Sequence, residues 1–325
     1  MAQRALITGG AGFIGSHVAD LFLREGWEVE IVDNLVTGKQ RNLPAKARFH
    51  ELDIGSPEAA RLLGEGQFDV LVHLAAQMDV RKSVADPVFD ARTNILGTLN
   101  LLEAIRAAGM KTRVVFSSTG GAIYGDFVTP PNEETFAKDP ESPYAIAKHS
   151  VELYLAYYAR VHGLDAVSLR YGNVYGPRQD PHGEAGVVAI FSGRILDEQP
   201  LTVFGDGEQT RDYVFVGDVA RATWLAATAK LPPQEKLDSR AFNVGTGSGT
   251  SVLTLADSLK RAAKSGVPVQ HAPKRPGEQQ TSFLSVAKIE RTLGWTPQVT
   301  LDEGLRRTFE WFAAQRTPAA AGGTR

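Results

Sequence analysis

The stretch Ala5-Leu6-Ile7-Thr8-Gly9-Gly10-Ala11-Gly12-Phe13-Ile14-Gly15-Ser16-His17 decides the fold of this chain. A short apolar run ends in glycines spaced G-x-x-G-x-x-G, and an amphipathic pattern follows, with Ile14, Val18, Leu21 and Phe22 on one face. This order predicts a strand, a tight turn and a helix whose N-terminal N–H groups attract a pyrophosphate. A plain glycine turn would fit the same residues. The candidate phosphate-binding residues are Gly9, Gly12, Phe13, Ile14 and Gly15.

An acidic residue follows the second apolar run. Val29-Glu30-Ile31-Val32 ends at Asp33, about 20 residues after the glycines, where a dinucleotide fold places the acid that binds the adenosine ribose. A carboxylate there accepts hydrogen bonds from the 2′- and 3′-hydroxyls and repels a 2′-phosphate, and no arginine follows directly. We therefore expect NAD rather than NADP as the cofactor. The neighbouring cofactor residues are expected to be Asn34, Leu35, Thr37 and Gly38.

Composition limits the possible classes of protein. The chain has 325 residues, 43% apolar and 22% charged, enough for one large α/β unit with a smaller lobe. The net charge of −2 argues against a nucleic-acid partner. The sequence has no cysteine, which excludes disulfides, thiolate catalysis and cysteine metal sites and fits a cytoplasmic protein. No apolar run approaches the ~18 residues of a membrane span, and no histidines have metal-ligand spacing. We expect no signal peptide, because Met1 leads directly into a predicted strand.

Predicted strands and helices alternate, which is typical of a doubly wound α/β fold with a parallel sheet covered on both faces. The predicted strands are Arg4–Thr8, Glu28–Val32, Arg48–Glu51, Val70–Leu74, Arg113–Ser117, Ala166–Arg170 and Arg240–Val244, and the main predicted helices are Glu58–Leu63, Val88–Ala108 and Tyr144–His162. Asp180–Ala185 and Pro232–Asp238 are predicted loops. We predict a cofactor domain of residues 1–172 and 214–245, a smaller, discontinuous α/β substrate-binding lobe of residues 173–213 and 246–316, and a disordered tail of residues 317–325.

Two further strand ends carry candidate cofactor residues. Asp53, followed by Ile54, can accept from an adenine amino group or, equally well, cap the next helix. The small residues around Leu74, Ala75, Ala76 and Gln77 suit either close passage of a cofactor or tight helix packing. His73 lies in an apolar run and is predicted to be a hydrogen-bonded core histidine.

The stretch Ser142-Pro143-Tyr144-Ala145-Ile146-Ala147-Lys148 carries the candidate chemistry. Ser142 and Pro143 suit a helix start, and Tyr144 and Lys148 then lie one turn apart on one face. A nearby ammonium is expected to lower the pKa of the phenol from its usual value of about 10. Such a pair can take a proton from an alcohol while a nicotinamide accepts the hydride, although an ordinary helix face has the same spacing.

A hydroxyl-rich segment, Ser117-Ser118-Thr119, follows another predicted strand. It lies at the carboxyl end of that strand, where ligands bind in open α/β sheets. A hydroxyl at this edge can hydrogen-bond a reacting substrate oxygen, although such clusters more often form a turn.

Together these motifs resemble the extended short-chain dehydrogenase/reductase family and, within it, the UDP-hexose 4-epimerases. The resemblance covers nearly the whole chain, and its later blocks are more specific than the glycines: Arg170–Arg178, Phe204–Gly207, Thr210–Val214 and Arg275–Glu278. It implies a Rossmann-like fold, tightly bound NAD and a homodimer. The implied activity is redox-neutral inversion of the 4-hydroxyl of a UDP-hexose through a transient 4-keto sugar.

The resemblance also assigns roles to individual residues. Asn94 is implied at the cofactor, with a mid-helix polar contact as the alternative, and Arg211 and Arg275 at the diphosphate, with surface ion pairs as the alternative. The remaining cofactor residues are Ser117, Tyr144, Lys148 and Tyr171. The substrate residues are Thr119, Tyr144, Asn173, Val187, Val188, Thr202, Val203, Phe204, Arg211, Tyr213, Arg275, Glu278 and Ser282.

Two assignments stay open. The segment Ser118–Gly121 is one residue longer than the common family version, so the active hydroxyl is Thr119, counted from Phe116, or else Ser118. Ser282 matches the family position beside the sugar 2-position, where a small residue leaves room for an N-acetyl group. A slip of one residue would place Phe283 there, and Ser282 could instead be a surface loop serine.

Other functions fit parts of the same sequence. A 4,6-dehydratase of the same family carries an Asp-Glu pair before the loop tyrosine, whereas this chain has Gly120–Ile123 there; a decarboxylase is a related alternative. A non-catalytic NAD-sensing module predicts loss of Tyr144 or Lys148, and both are present. The expected dimer interface combines helices Val88–Ala108 and Tyr144–His162. Leu153, Tyr157 and Val161 would supply contacts there, although core packing explains them equally well.

Overall fold

The apolar runs form strands of a parallel sheet in the computed structural model, which describes residues 2–126, 128–181, 186–274 and 279–316. The strands are β1 (Arg4–Thr8), β2 (Glu28–Asp33), β3 (Arg48–Glu51), β4 (Val70–His73), β5 (Arg113–Thr119), β6 (Ala166–Tyr171), β7 (Asn173–Tyr175), β8 (Leu201–Phe204), β9 (Thr210–Arg211), β10 (Tyr213–Phe215), β11 (Ala241–Val244), β12 (Thr250–Ser251), β13 (Val269–Ala272) and β14 (Thr281–Ser282). The helices are α1 (Phe13–Arg24), α2 (Pro57–Gly66), α3 (Val80–Ala85), α4 (Pro87–Ala91), α5 (Gly97–Ala107), α6 (Pro143–His162), α7 (Val187–Leu196), α8 (Val216–Thr228), α9 (Val252–Ala263), α10 (Ala287–Leu293) and α11 (Leu301–Gln315).

The central sheet has seven strands in the order β11-β6-β5-β4-β1-β2-β3. Ile7 in β1 lies opposite Ile31 on one side and Val72 on the other, in parallel register. Both faces of the sheet are buried, since α1 and α8 cover one face and α2, α5 and α6 the other. Continuous apolar runs are what such doubly covered parallel strands require. The predicted doubly wound α/β fold is confirmed.

A second core lies in the carboxyl-terminal half of the chain. Side chains of α7, β8, α9 and α11, among them Phe191, Leu201 and Leu255, form this core. Phe13 and Ile14, at the start of α1, pack against it. The glycine turn therefore lies where the two parts of the molecule meet. The exact domain boundaries stay a prediction.

The predicted helix Val88–Ala108 is one helical path with an internal irregularity. A π-helical turn, Arg92–Leu96, separates α4 from α5. At the start of α5, a side chain on Gly97 would approach within 2.9 Å of the Ile54 side chain, so the helix backbone lies directly on that residue. Because a π turn inserts a residue into the helical period, the sequence pattern could not reveal it.

Several segment ends differ slightly from prediction. Strand β5 runs two residues further than expected, to Thr119, and a 3₁₀ turn, Leu237–Arg240, begins at the end of a predicted loop. Part of the other predicted loop and the predicted tail lie outside the described residues. Among the residues described, no helix combines the length and apolar character needed to cross a bilayer.

Candidate active site

The glycine turn has the geometry that phosphate binding requires. Gly9 has φ = +72°, and a side chain there would approach the Ala75 nitrogen within 2.7 Å. A side chain on Gly15 would overlap the Gly9 carbonyl, so α1 packs directly on the turn. Helix α1 begins after Gly12 without a capping side chain, which leaves the N–H groups of its first turn for a ligand. These residues fit a dinucleotide pyrophosphate.

Asp33 ends β2 as a buried carboxylate. It accepts hydrogen bonds from the backbone nitrogens of Ala11, at 3.0 Å, and Leu35, at 2.9 Å. Gly38 lies directly against the Asp33 carboxylate, because a Cβ at Gly38 would come within 2.5 Å of Asp33 Oδ1. Burial raises the pKa of Asp33, and the two backbone hydrogen bonds oppose that shift. A carboxylate has about four acceptor sites, so this one retains capacity for two ribose hydroxyls.

We expect Asp33 to make the chain bind NAD more tightly than NADP by about tenfold or more, because an added 2′-phosphate would face this carboxylate. Calorimetry on protein stripped of cofactor measures both affinities, and Asp33→Asn should narrow their ratio. Asp20→Asn, further along α1, serves as the matched control. Equal affinities for the two cofactors in the unmodified chain would contradict the assignment.

Asp53 does not cap the next helix. Ser56 caps α2 by accepting a hydrogen bond from the Ala59 nitrogen at 3.2 Å. The Asp53 carboxylate instead accepts from the Asn34 side chain at 2.9 Å and from the Gly55 nitrogen at 2.8 Å. The helix-cap alternative is therefore wrong, and the adenine contact stays a prediction.

His73 is a core histidine, as predicted from its apolar run. Its ring nitrogens hydrogen-bond Thr8 Oγ1 at 2.7 Å and Thr98 Oγ1 at 2.9 Å. Burial, followed by the nearby Lys148 charge, lowers the pKa of His73 to about 3, so the ring is neutral. Among the residues that the structure describes, no cluster of three or more metal-ligating side chains occurs.

A buried amide and a buried acid fix the segment after β4. Asn94 Oδ1 accepts from the Gln77 nitrogen at 2.8 Å, and Asn94 Nδ2 donates to the Gln77 carbonyl at 2.9 Å. Asp90 Oδ1 accepts from Asn94 Nδ2 at 3.0 Å and from Gln77 Nε2 at 2.9 Å. Sequence reasoning named Asn94 and Gln77 but missed Asp90. The signal was available, since an acid four residues before Asn94 lies on the same helix face.

The two stretches with candidate chemistry meet at the carboxyl edge of the sheet. Helix α6 begins after Ser142, whose hydroxyl accepts from the Ala145 nitrogen at 3.3 Å. The Lys148 ammonium lies 5.9 Å from the centre of the Tyr144 ring and donates to the Ser117 carbonyl at 2.8 Å. The end of β5 and the first turn of α6 therefore form one site.

The pKa values of Tyr144 and Lys148 differ from those expected from their spacing. Burial raises the pKa of Tyr144 to about 12, with the Asp90 charge acting in the same direction. Burial lowers the pKa of Lys148 to about 8, and Asp90 opposes that shift. The predicted lowering of the phenol pKa by Lys148 is therefore wrong for the chain by itself. The reason is that removal from water disfavours the charged form of both groups.

The structure separates the two candidate hydroxyls. Side chains alternate along β5, so Thr119 shares a face with Ser117 while Ser118 points to the opposite face. Ser118 is buried next to the Glu152 carboxylate, whereas Thr119 is only partly buried. Gly120 continues the turn, and a side chain there would clash with Leu284. This placement favours Thr119 as the hydroxyl that can meet a substrate.

Some predicted substrate residues come close to this edge. Asn173 begins β7, and a Cβ placed on Gly121 would lie 3.5 Å from its side-chain oxygen. Ser282 on β14 pairs directly with Arg211 on β9. Ser282 is 2% exposed, so the surface-loop alternative is wrong, while its neighbour Phe283 is only partly buried.

Other predicted residues have mainly structural contacts. The Tyr171 ring is buried, and its hydroxyl bonds Thr223 on α8 at 3.0 Å, so only its backbone reaches the sheet edge. Thr202 Oγ1 accepts from Gln270 at 2.9 Å. The core of the second part contains Val188, Val203 and Tyr213, with Val187 packed against it. Arg275 and Glu278 lie outside the described residues.

Comparison with known proteins decides the family. Residues 5–245 match the NAD dependent epimerase/dehydratase family. The chain belongs to this family. UDP-glucose 4-epimerase from Thermotoga maritima, solved with UDP-glucose, is 47% identical with a TM-score of 0.91 over 96% of this chain and 99% of that one. UDP-glucose 4-epimerase from Thermus thermophilus, in complex with NAD, is 46% identical with a TM-score of 0.88 over 96% of this chain and 100% of that one.

A third relative in the family acts on a different sugar. UDP-N-acetylglucosamine 4-epimerase from Methanobrevibacter ruminantium M1, in complex with UDP-N-acetylmuramic acid, is 33% identical with a TM-score of 0.89 over 97% of this chain and 99% of that one. These likenesses confirm the predicted resemblance to the UDP-hexose 4-epimerases. The family's dependence on NAD confirms the predicted cofactor.

Proposed function

We propose that this member of the epimerase family interconverts UDP-glucose and UDP-galactose by inverting the sugar 4-hydroxyl through a transient 4-keto sugar. The meeting of Tyr144, Lys148 and the end of β5 at the sheet edge carries this proposal. NAD, when bound, supplies the acceptor and then the donor of a hydride, so the reaction has no net redox change.

Tyr144 in its phenolate form takes the proton from the 4-hydroxyl and returns it at the end of the cycle. Burial raises the pKa of Tyr144 to about 12 in the chain alone, so formation of the phenolate requires a positive charge beside it. The Lys148 ammonium, held by the Ser117 carbonyl, stabilises the phenolate as its charge develops. Thr119, on the same face of β5 as Ser117, orients the reacting oxygen by a hydrogen bond.

The diphosphate serves as the tether about which the flat 4-keto sugar turns. Arg211 and Arg275 hold it, because guanidinium groups make paired, charge-assisted hydrogen bonds to phosphate oxygens. Asn173, beside Gly121, faces the sugar, and Glu278 binds the uridine ribose. Turning about this tether offers either face of the keto sugar to the cofactor while the 4-oxygen stays near Tyr144.

Incubation of the purified protein with UDP-galactose or UDP-glucose, followed by chromatographic separation, tests this function. Each substrate should yield a mixture of the two sugars. A product that is lighter than the substrate by one water molecule, detected by mass spectrometry, would indicate a 4,6-dehydratase instead. The absence of an acid in Gly120–Ile123 argues against that outcome.

We also propose that Ser282 admits N-acetylated sugars. Its small side chain lies on β14 opposite Arg211, and a related N-acetyl sugar epimerase has the same fold. The chain should turn over UDP-N-acetylglucosamine, whereas Ser282→Tyr should lose at least about tenfold in kcat/KM for that substrate through steric exclusion and retain UDP-galactose turnover. Ser282→Ala is the matched control and should keep both activities. Equal N-acetyl sugar turnover by the Tyr variant would exclude Ser282 as the gate.

We propose that two copies associate through α6 and the α3–α5 segment. Apolar side chains on these helices are exposed: Val84, Val88, Leu96, Ile146, Leu153, Tyr154, Tyr157 and Val161. Leu153 is 48% exposed and Val161 61%, so core packing does not explain them. Pairing of this surface with itself would build a four-helix interface and cover the apolar area.

Leu153→Asp is therefore expected to convert a dimer into a monomer, because it buries a charge in the interface. Light scattering coupled to gel filtration measures the mass. Val36→Asp, at an exposed valine away from these helices, should leave the dimer intact. A Leu153→Asp variant that stays dimeric would place the interface elsewhere.

A further inference from the structure

We infer that Asp90 is a positioning residue that sets the charge state of the Tyr144–Lys148 pair. This inference rests on the proposed role of that pair in proton transfer. Asp90 lies on α4, which packs against α6. It is 1% exposed, so its carboxylate acts in a dry environment where charges are weakly screened.

The surroundings of Asp90 leave its charge only partly compensated. Oδ1 accepts from two neutral amides, those of Gln77 and Asn94. Oδ2 is buried, and no side chain or backbone group that the structure describes donates a hydrogen bond to it. A buried carboxylate with neutral donors on one oxygen needs a nearby cation to remain ionised. The two amides fix the position of the carboxylate and lower its pKa, but they carry no charge that could balance it.

The charged groups of the adjoining elements identify that cation. On α3, Arg81 lies 3.9 Å from Asp79 and the Lys82 ammonium lies over the Phe89 ring at 4.4 Å, both at the surface. Arg92, directly after α4, is exposed.

On the inner side, three titratable groups face this region. His73 on β4 is neutral, and Tyr144 and Lys148 lie on α6. Further along α6, Glu152 pairs with Arg170. Lys148 is therefore the buried cation whose charge acts on Asp90. Burial raises the pKa of Asp90, and the hydrogen bonds from Gln77 and Asn94, followed by the Lys148 charge, oppose that shift.

The Asp90 charge shifts the pKa values of Lys148 and Tyr144 in the same direction. The Asp90 charge raises the pKa of Lys148 and so keeps the ammonium protonated despite its burial. The same charge raises the pKa of Tyr144 and so opposes the phenolate. Removing the charge lowers both values, and the two groups titrate as a coupled pair. Asp90 thus places the working range of the pair at higher pH than it would have without this charge.

Asp90→Asn tests this inference because it keeps the shape and one acceptor while removing the charge. Both limbs of the pH profile of kcat/KM are expected to move to lower pH, by about one unit. The phenolate titration of Tyr144, measured as near-ultraviolet absorbance relative to Tyr144→Phe, should move in the same direction. Glu58→Gln removes a charge from an exposed position of α2 and should shift neither measurement.

If the pH profile of kcat/KM for Asp90→Asn does not shift, the inference is wrong, whatever the activity or stability of this variant. Asp90 would then be only a structural link between Gln77 and Asn94. A reciprocal experiment does not need that variant to fold. In Lys148→Met, the pKa of Asp90, followed by carbon-13 NMR of its carboxyl group, should rise by about one unit. An unchanged value would also overturn the inference. This titration remains informative even if Tyr144→Phe proves active and the proposed function fails.

Discussion

Tyr144→Phe is expected to abolish epimerisation, lowering kcat by at least about 10²–10⁴-fold, the usual contribution of a positioned acid–base group. The phenylalanine ring fills the same space, but no oxygen remains to take the 4-hydroxyl proton. Steady-state rates with UDP-galactose measure the loss. The cofactor content after extraction should be unchanged, because the glycine turn and Asp33 hold the adenosine and pyrophosphate.

Tyr154→Phe is the matched control for this experiment. Tyr154 lies on the same helix, 40% exposed, and its hydroxyl has no place in the proposed chemistry. Its activity should equal that of the unmodified chain. Activity of Tyr144→Phe within a few-fold of the unmodified chain would remove Tyr144 from the mechanism, and loss of cofactor would make it a binding residue.

Arg170→Met is expected to lower the free energy of unfolding by about 3–5 kcal/mol, the cost of leaving a buried charge unpaired. Arg170 is fully buried, and its Nη2 lies 2.6 Å from carboxylate oxygens of both Glu152 and Asp238. Its Nη1 donates to the Tyr124 hydroxyl at 3.1 Å. Methionine fills similar volume but leaves Glu152 without its cation. Urea unfolding curves measure the change.

Arg306→Met on α11 is the control, because Arg306 also contacts two carboxylates, of Glu303 and Glu310, but at an exposed position. Water already solvates those charges, so this substitution should change stability by less than about 1 kcal/mol. Equal effects of the two substitutions would contradict the assignment of Arg170 as a buried structural charge.

Local patterns in the sequence were sufficient to predict the central sheet, the glycine turn and the helix face that carries Tyr144 and Lys148. The apolar runs predicted the inner strands of the central sheet because those strands are buried on both faces. The glycine spacing predicted the turn between β1 and α1. The spacing of Tyr144 and Lys148 predicted their common helix face, since a helix turn brings such residues together wherever the helix lies. The ribose-binding role of Asp33 was predicted from its distance along the chain to the glycines.

Contacts between distant segments decided the rest. The π turn at Arg92–Leu96, the partner of Asp53 and the burial of Ser282 on β14 arise from packing between residues far apart in sequence. Asp90 gains its importance only because α4 packs on α6. Folding buries Lys148 and partly buries Tyr144, and this desolvation raises the pKa of the phenol where their spacing alone predicts a lower value. Sequence determined which groups are present and on which faces, whereas desolvation and long-range charge, which exist only in the folded chain, determined their protonation.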